Sequence, residues 1–134
     1  MLRSICSVVG GFATWSALWL GGNTVAMTAM PGAVHQDGSI NHVGLLCAIL
    51  ALSVICSILA GLLTGVIAKR SAMAHGVVLG VILLAVGIFV QAQYWDKMPI
   101  WYHLIFLAML VPATLIGVKL HSARKAPGTA ALAT

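Results

Sequence analysis

The side chains of this sequence with the clearest potential for chemistry are three histidines and one carboxylate. His35 and His42 lie in one polar interval, and His103 lies near the start of the last apolar run. Two imidazoles with a carboxylate such as Asp96 could hold a divalent metal ion, and two facing imidazoles could ligate a haem iron. The alternative is that these histidines form hydrogen bonds with loop backbone. Because their spacing matches no known ligand motif, we expect no metal and no cofactor.

The composition places the chain in a membrane. Of its 134 residues, 61% are hydrophobic and 7% are charged, and the acidic residues are two aspartates. A soluble domain carries about a quarter of charged residues. The basic residues are not interleaved with aromatic side chains on a polar face, so we expect no nucleic-acid binding. The three cysteines lie inside apolar runs without CxxC spacing, which argues against a thiol relay.

Four apolar runs are long enough to span a bilayer. They predict membrane helices over about residues 5–27, 43–68, 72–90 and 99–120. Short intervals between the runs favour antiparallel neighbours. We therefore expect an all-α membrane protein, an up-down-up-down bundle of four transmembrane helices in a single domain, residues 1–125. The tail, residues 126–134, is rich in Ala, Gly, Pro and Thr and is predicted to be disordered.

The first run also fits the pattern of a signal peptide, because a basic residue precedes an apolar stretch. Its apolar part is longer than the core of a signal peptide, and its end, Thr24-Val25-Ala26, is a poor cleavage site. We therefore favour an uncleaved first helix.

The basic residues predict the orientation. If the helices alternate in direction, six of the seven would share one side of the membrane: Arg3, Lys69, Arg70, Lys119, Arg124 and Lys125. Lys97 would lie on the other side. An excess of Lys and Arg in short loops marks the cytoplasmic side, so we expect both termini in the cytoplasm. The same residues could attract anionic lipid headgroups, at roughly 1 kcal/mol per charge.

Small residues recur at every fourth position on both sides of the central basic pair, and Gly87 follows one heptad after Gly80. They are Ser53, Ser57, Gly61 and Gly65 in the second run and Gly76, Gly80 and Gly87 in the third. Helix association in lipid depends on close backbone approach, which small residues permit. Because the glycines mirror one another about the basic pair, we expect a hairpin in which Gly61 faces Gly80 and Gly65 faces Gly76.

The middle of each predicted span lacks acidic and basic side chains. Ion-coupled transporters, proton relays and voltage sensors need such groups inside the membrane. We therefore expect a non-enzymatic scaffold, accessory or assembly component, as a homo-oligomer or bound to a larger membrane protein. The alternative is a small carrier, pore, or haem- or metal-binding membrane protein that uses the histidines.

The central and final spans also resemble a known pattern. The segment Gly61–Gly80 combines a glycine-rich span, a double-basic turn and an Ala-His start of the next span. The last span adds Trp101-Tyr102-His103 and residues 112–117. Together, over about residues 43–120, they are similar to small uncharacterised bacterial inner-membrane proteins with four transmembrane helices. The resemblance implies this topology and a bacterial cytoplasmic (inner) membrane, and it implies no activity.

Overall fold

Four long helices make up the structure, a computed structural model that describes residues 1–133 of the chain and the side chains of residues 1–123. The helices are α1 (Leu2–Ala29), α2 (Val43–Ala68), α3 (Ala72–Gln93) and α4 (Ile100–Ala133). All four are long and apolar enough to cross a membrane, α4 through its first 24 residues, Ile100–Ala123. The prediction of an all-α bundle of four membrane helices is confirmed.

Two predictions concern the C-terminal end of the chain. The side chains of Arg124 and Lys125 lie outside the part that the structure describes, as do those of the predicted disordered tail, residues 126–134. The shared location of these two basic residues and the disorder of the tail therefore stay predictions.

The helices form a four-sided bundle in the order α1, α2, α4, α3. The most extensive contacts join α2 to α4 and α1 to α2, followed by α3 to α4, and the contact between α1 and α3 is the smallest of the four sides. Gly61 of α2 lies against Thr114 of α4, and Gly65, one turn later, lies against His121. The register rises along both helices together, so α2 and α4 run in the same direction. This parallel pair forms the most closely packed side of the bundle.

The glycines of α2 and α3 pack against α4. The prediction that the glycines of α2 face those of α3 is wrong. Gly61 packs against Thr114 and Gly117 of α4, so the closest approach is between α2 and α4. Gly76, Gly80 and Gly87 of α3 also face α4, through Val118, Val111 and Leu110. Ser57 turns to α1, where its hydroxyl accepts a hydrogen bond of 3.1 Å from the Trp15 indole N–H.

The reason for this difference is that a short turn fixes the direction of two helices but not their rotation about their own axes. The rotation is set by the neighbour that allows the closest packing. Gly117 of α4 offers a second glycine to Gly61. A Cβ atom built on Gly61 would lie 3.2 Å from the Gly117 Cα, and one built on Gly117 would lie 2.9 Å from the Leu62 backbone N.

Two loops close the end of the bundle that is opposite to the turn between α2 and α3. We call this end the hairpin side, after the short β-hairpin that the bridge between Val34 and Ile40 forms there. Residues 30–42 contain a 3-10 turn, Pro31–Ala33, and an antiparallel bridge between Val34 and Ile40. The Ile40 N–H donates to the Lys97 carbonyl at 2.9 Å, and the Lys97 ammonium donates to the Asp37 carbonyl at 2.8 Å. The loop between α1 and α2 is thereby fastened to the loop between α3 and α4.

Candidate functional site

The histidines and the carboxylate singled out in the sequence do not form a ligand set. Within the described part of the chain, no group of three or more His, Cys, Asp or Glu side chains could hold a metal ion. His42 caps α2, since its Nδ1 accepts a hydrogen bond of 3.1 Å from the Leu45 N–H. His35 is exposed in the loop before it, and Asp96 is exposed in the turn before α4. His42 thus corresponds to the alternative of a histidine hydrogen-bonded to backbone.

His103 is fully buried on α4 and joins α3 to the loop that follows it. Its Nδ1 is in hydrogen-bond contact with the Gln91 amide, and its Nε2 lies 3.3 Å from the Trp95 carbonyl oxygen. A neutral imidazole carries one N–H. The Gln91 atom at Nδ1 is the amide oxygen, which only accepts, so Nδ1 donates to it, and Nε2 then has no hydrogen to donate to the Trp95 carbonyl. The Trp95 indole stacks on the imidazole with ring centroids 4.8 Å apart.

A row of aromatic rings leads from His103 into the bundle. Tyr102 lies 5.7 Å from His103 and 6.0 Å from Phe106, measured between ring centroids. Phe106 lies 5.1 Å from Trp19, and Trp19 stacks on Trp15 at 5.6 Å with the two rings 15° from parallel. The row therefore crosses from α4 to α1, two helices that otherwise touch little.

A cavity lies beside the two stacked tryptophans, and we call it the aromatic cleft. Its volume is about 190 Å³, and its walls include Trp15, Ser16, Trp19, Val86, Gly87 and Phe106. α1 packs on α2 and leaves this space between itself, α3 and α4. Gly87 contributes its backbone to the wall, and a Cβ added to it would meet Leu110 of α4 at 2.8 Å. A dry apolar cavity of about 150 Å³ binds benzene, so the aromatic cleft has room for one flat ring.

Trp15 and Trp19 are four residues apart, a spacing that places them on one face of α1. The sequence did not reveal the cleft, which depends on α1 and α3 running side by side in the same direction. For Gly87 the sequence predicts only a role in helix packing. Gly87 and Trp19 line the same cavity because of how α1 and α3 pack in the bundle, and the residue spacing within either helix does not predict this.

Basic residues gather at the end of the bundle opposite the hairpin side, which we call the basic side. Arg3, Lys69, Arg70 and His75 line one cavity there. Lys119 lies on α4 near His121, which packs against Gly65 at the same end. Lys97 is on the hairpin side, as the sequence predicted for the one basic residue apart from the others.

Comparisons with known proteins give no relative from which a role could be transferred. No family model matches the chain, and neither a curated protein nor a solved structure matches it. The function has to be inferred from the side chains and cavities of the bundle.

Proposed function

We propose that the protein is a non-enzymatic accessory component of a bacterial cytoplasmic membrane, and that it holds a lipophilic molecule with a flat ring in its aromatic cleft. The single observation that carries this proposal is the cleft itself, an apolar cavity of about 190 Å³ beside two stacked tryptophans. A ligand taken from the bilayer would need no aqueous entrance.

The chemistry of the walls favours a ring over a hydrocarbon chain. Trp15 and Trp19 are stacked nearly in parallel, and Phe106 is tilted against Trp19 by 54°. Aromatic rings gain about 0.5–1.5 kcal/mol from offset-stacked or tilted contacts beyond the burial of their area. A flexible hydrocarbon chain would not gain this stacking energy. Ser16 adds one hydroxyl to the lining, which suits a ring that carries a hydrogen-bonding group.

The cellular location in this proposal rests on the sequence and on the placement of the basic residues. The bacterial inner membrane is proposed from the sequence pattern of residues 43–120. Arg3, Lys69 and Arg70 lie together at one end of the bundle, and Lys97 lies at the other. By the positive-inside rule the basic side faces the cytoplasm. The aromatic cleft would then lie in the outer half of the membrane, nearer the hairpin side.

The proposal is tested by fluorescence quenching in lipid nanodiscs. Trp95→Phe and Trp101→Phe together leave Trp15 and Trp19 as the only two of the four tryptophans. Bromobenzene and bromohexane carry the same quenching atom, one on a flat ring and one on a chain. We expect bromobenzene to quench with a saturable component, because it fills the cleft. Bromohexane should quench only in proportion to its concentration in the bilayer.

A matched pair of variants ties the saturable component to the cleft. Ser16→Phe fills the cavity, whereas Ala17→Phe places the same ring on the exposed face of α1. The saturable quenching should disappear in the first variant and persist in the second. Equal quenching in both variants, or saturable quenching by bromohexane of the same strength, would contradict a ring-binding cleft.

A further inference from the structure

The cavity on the basic side brings together three permanent cations from two segments of the chain. Its volume is about 490 Å³, and it is lined by Arg3 and Ser4 of α1 and by residues from the end of α2 to His75, among them Lys69, Arg70 and Ser71. The first residues of α1 and the turn between α2 and α3 are far apart in sequence. The bundle therefore concentrates positive charge that the sequence spreads over two places.

The acidic side chains of the chain do not neutralise this charge. The two aspartates of the sequence are Asp37 and Asp96, and both belong to loops of the hairpin side, at the other end of helices that cross a membrane. A cluster of cations without acidic partners between membrane helices is the arrangement that binds the phosphate of anionic lipids.

The donors around the cavity are partly held in place. The Arg3 Nε donates to the Ile67 carbonyl at 3.1 Å, which fixes the guanidinium against the end of α2. A guanidinium has five N–H donors, so four remain for a ligand. The His75 Nδ1 lies 2.8 Å from the Ser71 carbonyl oxygen. A carbonyl can only accept, so Nδ1 carries the hydrogen, and in a neutral imidazole the Nε2 of His75 is an acceptor and not a donor.

The turn that carries two of the cations adopts an unusual backbone. Lys69 has φ of 56° and Ser71 has φ of 51°, and neither is a glycine. Such conformations cost on the order of 1–3 kcal/mol each and persist where the surroundings enforce them. The turn projects the side chains of Lys69 and Arg70 from a connection of only three residues between two helices.

An apolar cleft adjoins the cationic cavity and leads into the membrane. Its volume is about 380 Å³, and its lining of Ile5, Val8, Val9 and Val78 lies between α1 and α3. Ser4 and His75 line both spaces. A polar cavity at the membrane surface is thus continuous with an apolar groove along the helices, which is the shape of a headgroup followed by an acyl chain.

We infer that this composite site binds one anionic phospholipid of the bilayer. Its phosphate lies among Arg3, Lys69 and Arg70, and one acyl chain lies in the groove between α1 and α3. A water-soluble phosphate shares the first contact but not the second. The site is separate from the aromatic cleft, since the two cavities have no lining residue in common.

The test measures lipid binding to the full chain by native mass spectrometry, with phosphatidylglycerol as the anionic probe and phosphatidylcholine as the zwitterionic one. Arg70→Gln and Lys97→Gln each remove one positive charge, on the basic side and the hairpin side respectively. A cation near the headgroup contributes about fivefold in affinity. We expect Arg70→Gln to weaken phosphatidylglycerol binding by about fivefold and Lys97→Gln to leave it unchanged.

A second pair of variants tests the groove. Val78→Trp places a large side chain in the groove, and Val77→Trp places it on the exposed face next to the groove. The first should weaken phosphatidylglycerol binding and the second should not. Excess inorganic phosphate should not displace the lipid. An equal loss in Arg70→Gln and Lys97→Gln, no difference between the two tryptophan variants, or displacement by inorganic phosphate would each overturn the inference.

Discussion

Replacing Gly61 by alanine should destabilise the bundle, although the change adds a single methyl group. The new Cβ would lie 3.0 Å from the Thr114 carbonyl carbon and 3.2 Å from the Gly117 Cα. Both atoms belong to the backbone of α4, so no side-chain rotation can relieve the contact. The helices α2 and α4 would have to separate, and the remaining contacts along this parallel pair would loosen.

The magnitude follows from comparison with a second buried glycine. A Cβ on Gly80 would meet Val111 at 3.5–3.6 Å, which is ordinary van der Waals contact. Overpacking of a well-packed interior typically costs about 1–3 kcal/mol, and we expect this loss for Gly61→Ala. Gly80→Ala should be neutral or stabilising by up to about 1 kcal/mol, because alanine favours the helix over glycine.

The free energy of unfolding is measured for both variants by titration with SDS in mixed micelles, followed by far-UV circular dichroism. The two variants add the same methyl group to buried glycines in the same membrane, so their difference reports the local contact. Unfolding of Gly61→Ala at the same SDS fraction as the unaltered protein would refute the close approach of α2 and α4.

A disulfide provides an independent check of the same contact. A Cβ on Gly65 lies 3.2 Å from the His121 Cβ, near the range of about 3.5–4.5 Å found in disulfides. With the three native cysteines replaced, Gly65→Cys with His121→Cys should crosslink within one chain under mild oxidation. Gly65→Cys with Gly76→Cys should not, and efficient crosslinking of that pair would restore the hairpin pairing.

Three further predictions concern the loops and the buried histidine. A cysteine at Ser39 should react with an impermeant thiol reagent from outside the cell and one at Ser122 should not; the reverse would exclude cytoplasmic termini. The Ser39 hydroxyl and N–H donate to the Asp37 carboxylate at 2.7 and 2.9 Å and hold the pKa of Asp37 below 3.8, so their contribution to loop stability is lost as the pH falls through the lowered pKa. Ser39→Ala removes the hydroxyl and should raise the pKa of Asp37 in an NMR titration. An unchanged pKa would contradict this role of Ser39. His103→Leu leaves the Gln91 amide without its partner and should cost about 1–3 kcal/mol in the SDS titration, part of which Gln91→Leu should recover; no recovery would argue against coupling of the two side chains.

The fold could be predicted because length and hydropathy suffice for membrane helices. Spanning segments must satisfy their backbone hydrogen bonds internally, so a long apolar run is a helix whatever it packs against. The predicted boundaries of α2 agree with the structure, and α1 and α3 extend a few residues beyond the predicted spans. The rotation of each helix about its own axis could not be predicted from length and hydropathy. The spacing of Gly61 and Gly65 shows that one face is small, and it does not identify which helix that face meets.

The sites were harder to predict because they are made by pairs of helices. Gly117 was visible in the sequence within the resemblance at residues 112–117, but its role depends on α2 and α4 running in parallel. The partners of His103 come from Gln91 and Trp95 on the preceding helix and loop. A buried histidine with two internal partners has the same local sequence as one that ligates a metal, so the spacing alone left both alternatives open.

The two proposed sites follow from the different ways in which the helices are held. α4 meets α2 and α3 through glycines, which brings their backbones close and leaves little space. α1 is attached to α2 by specific hydrogen bonds, including Trp15 to Ser57 and Thr64 to the Ser7 carbonyl at 3.2 Å. The Leu79 side chain of α3 reaches α1 at Gly11, where an added Cβ would meet its Cδ2 atom at 2.7 Å. The space between α1 and α3 is therefore filled near its middle and open towards both ends. One opening is the aromatic cleft and the other is the apolar groove of the lipid site.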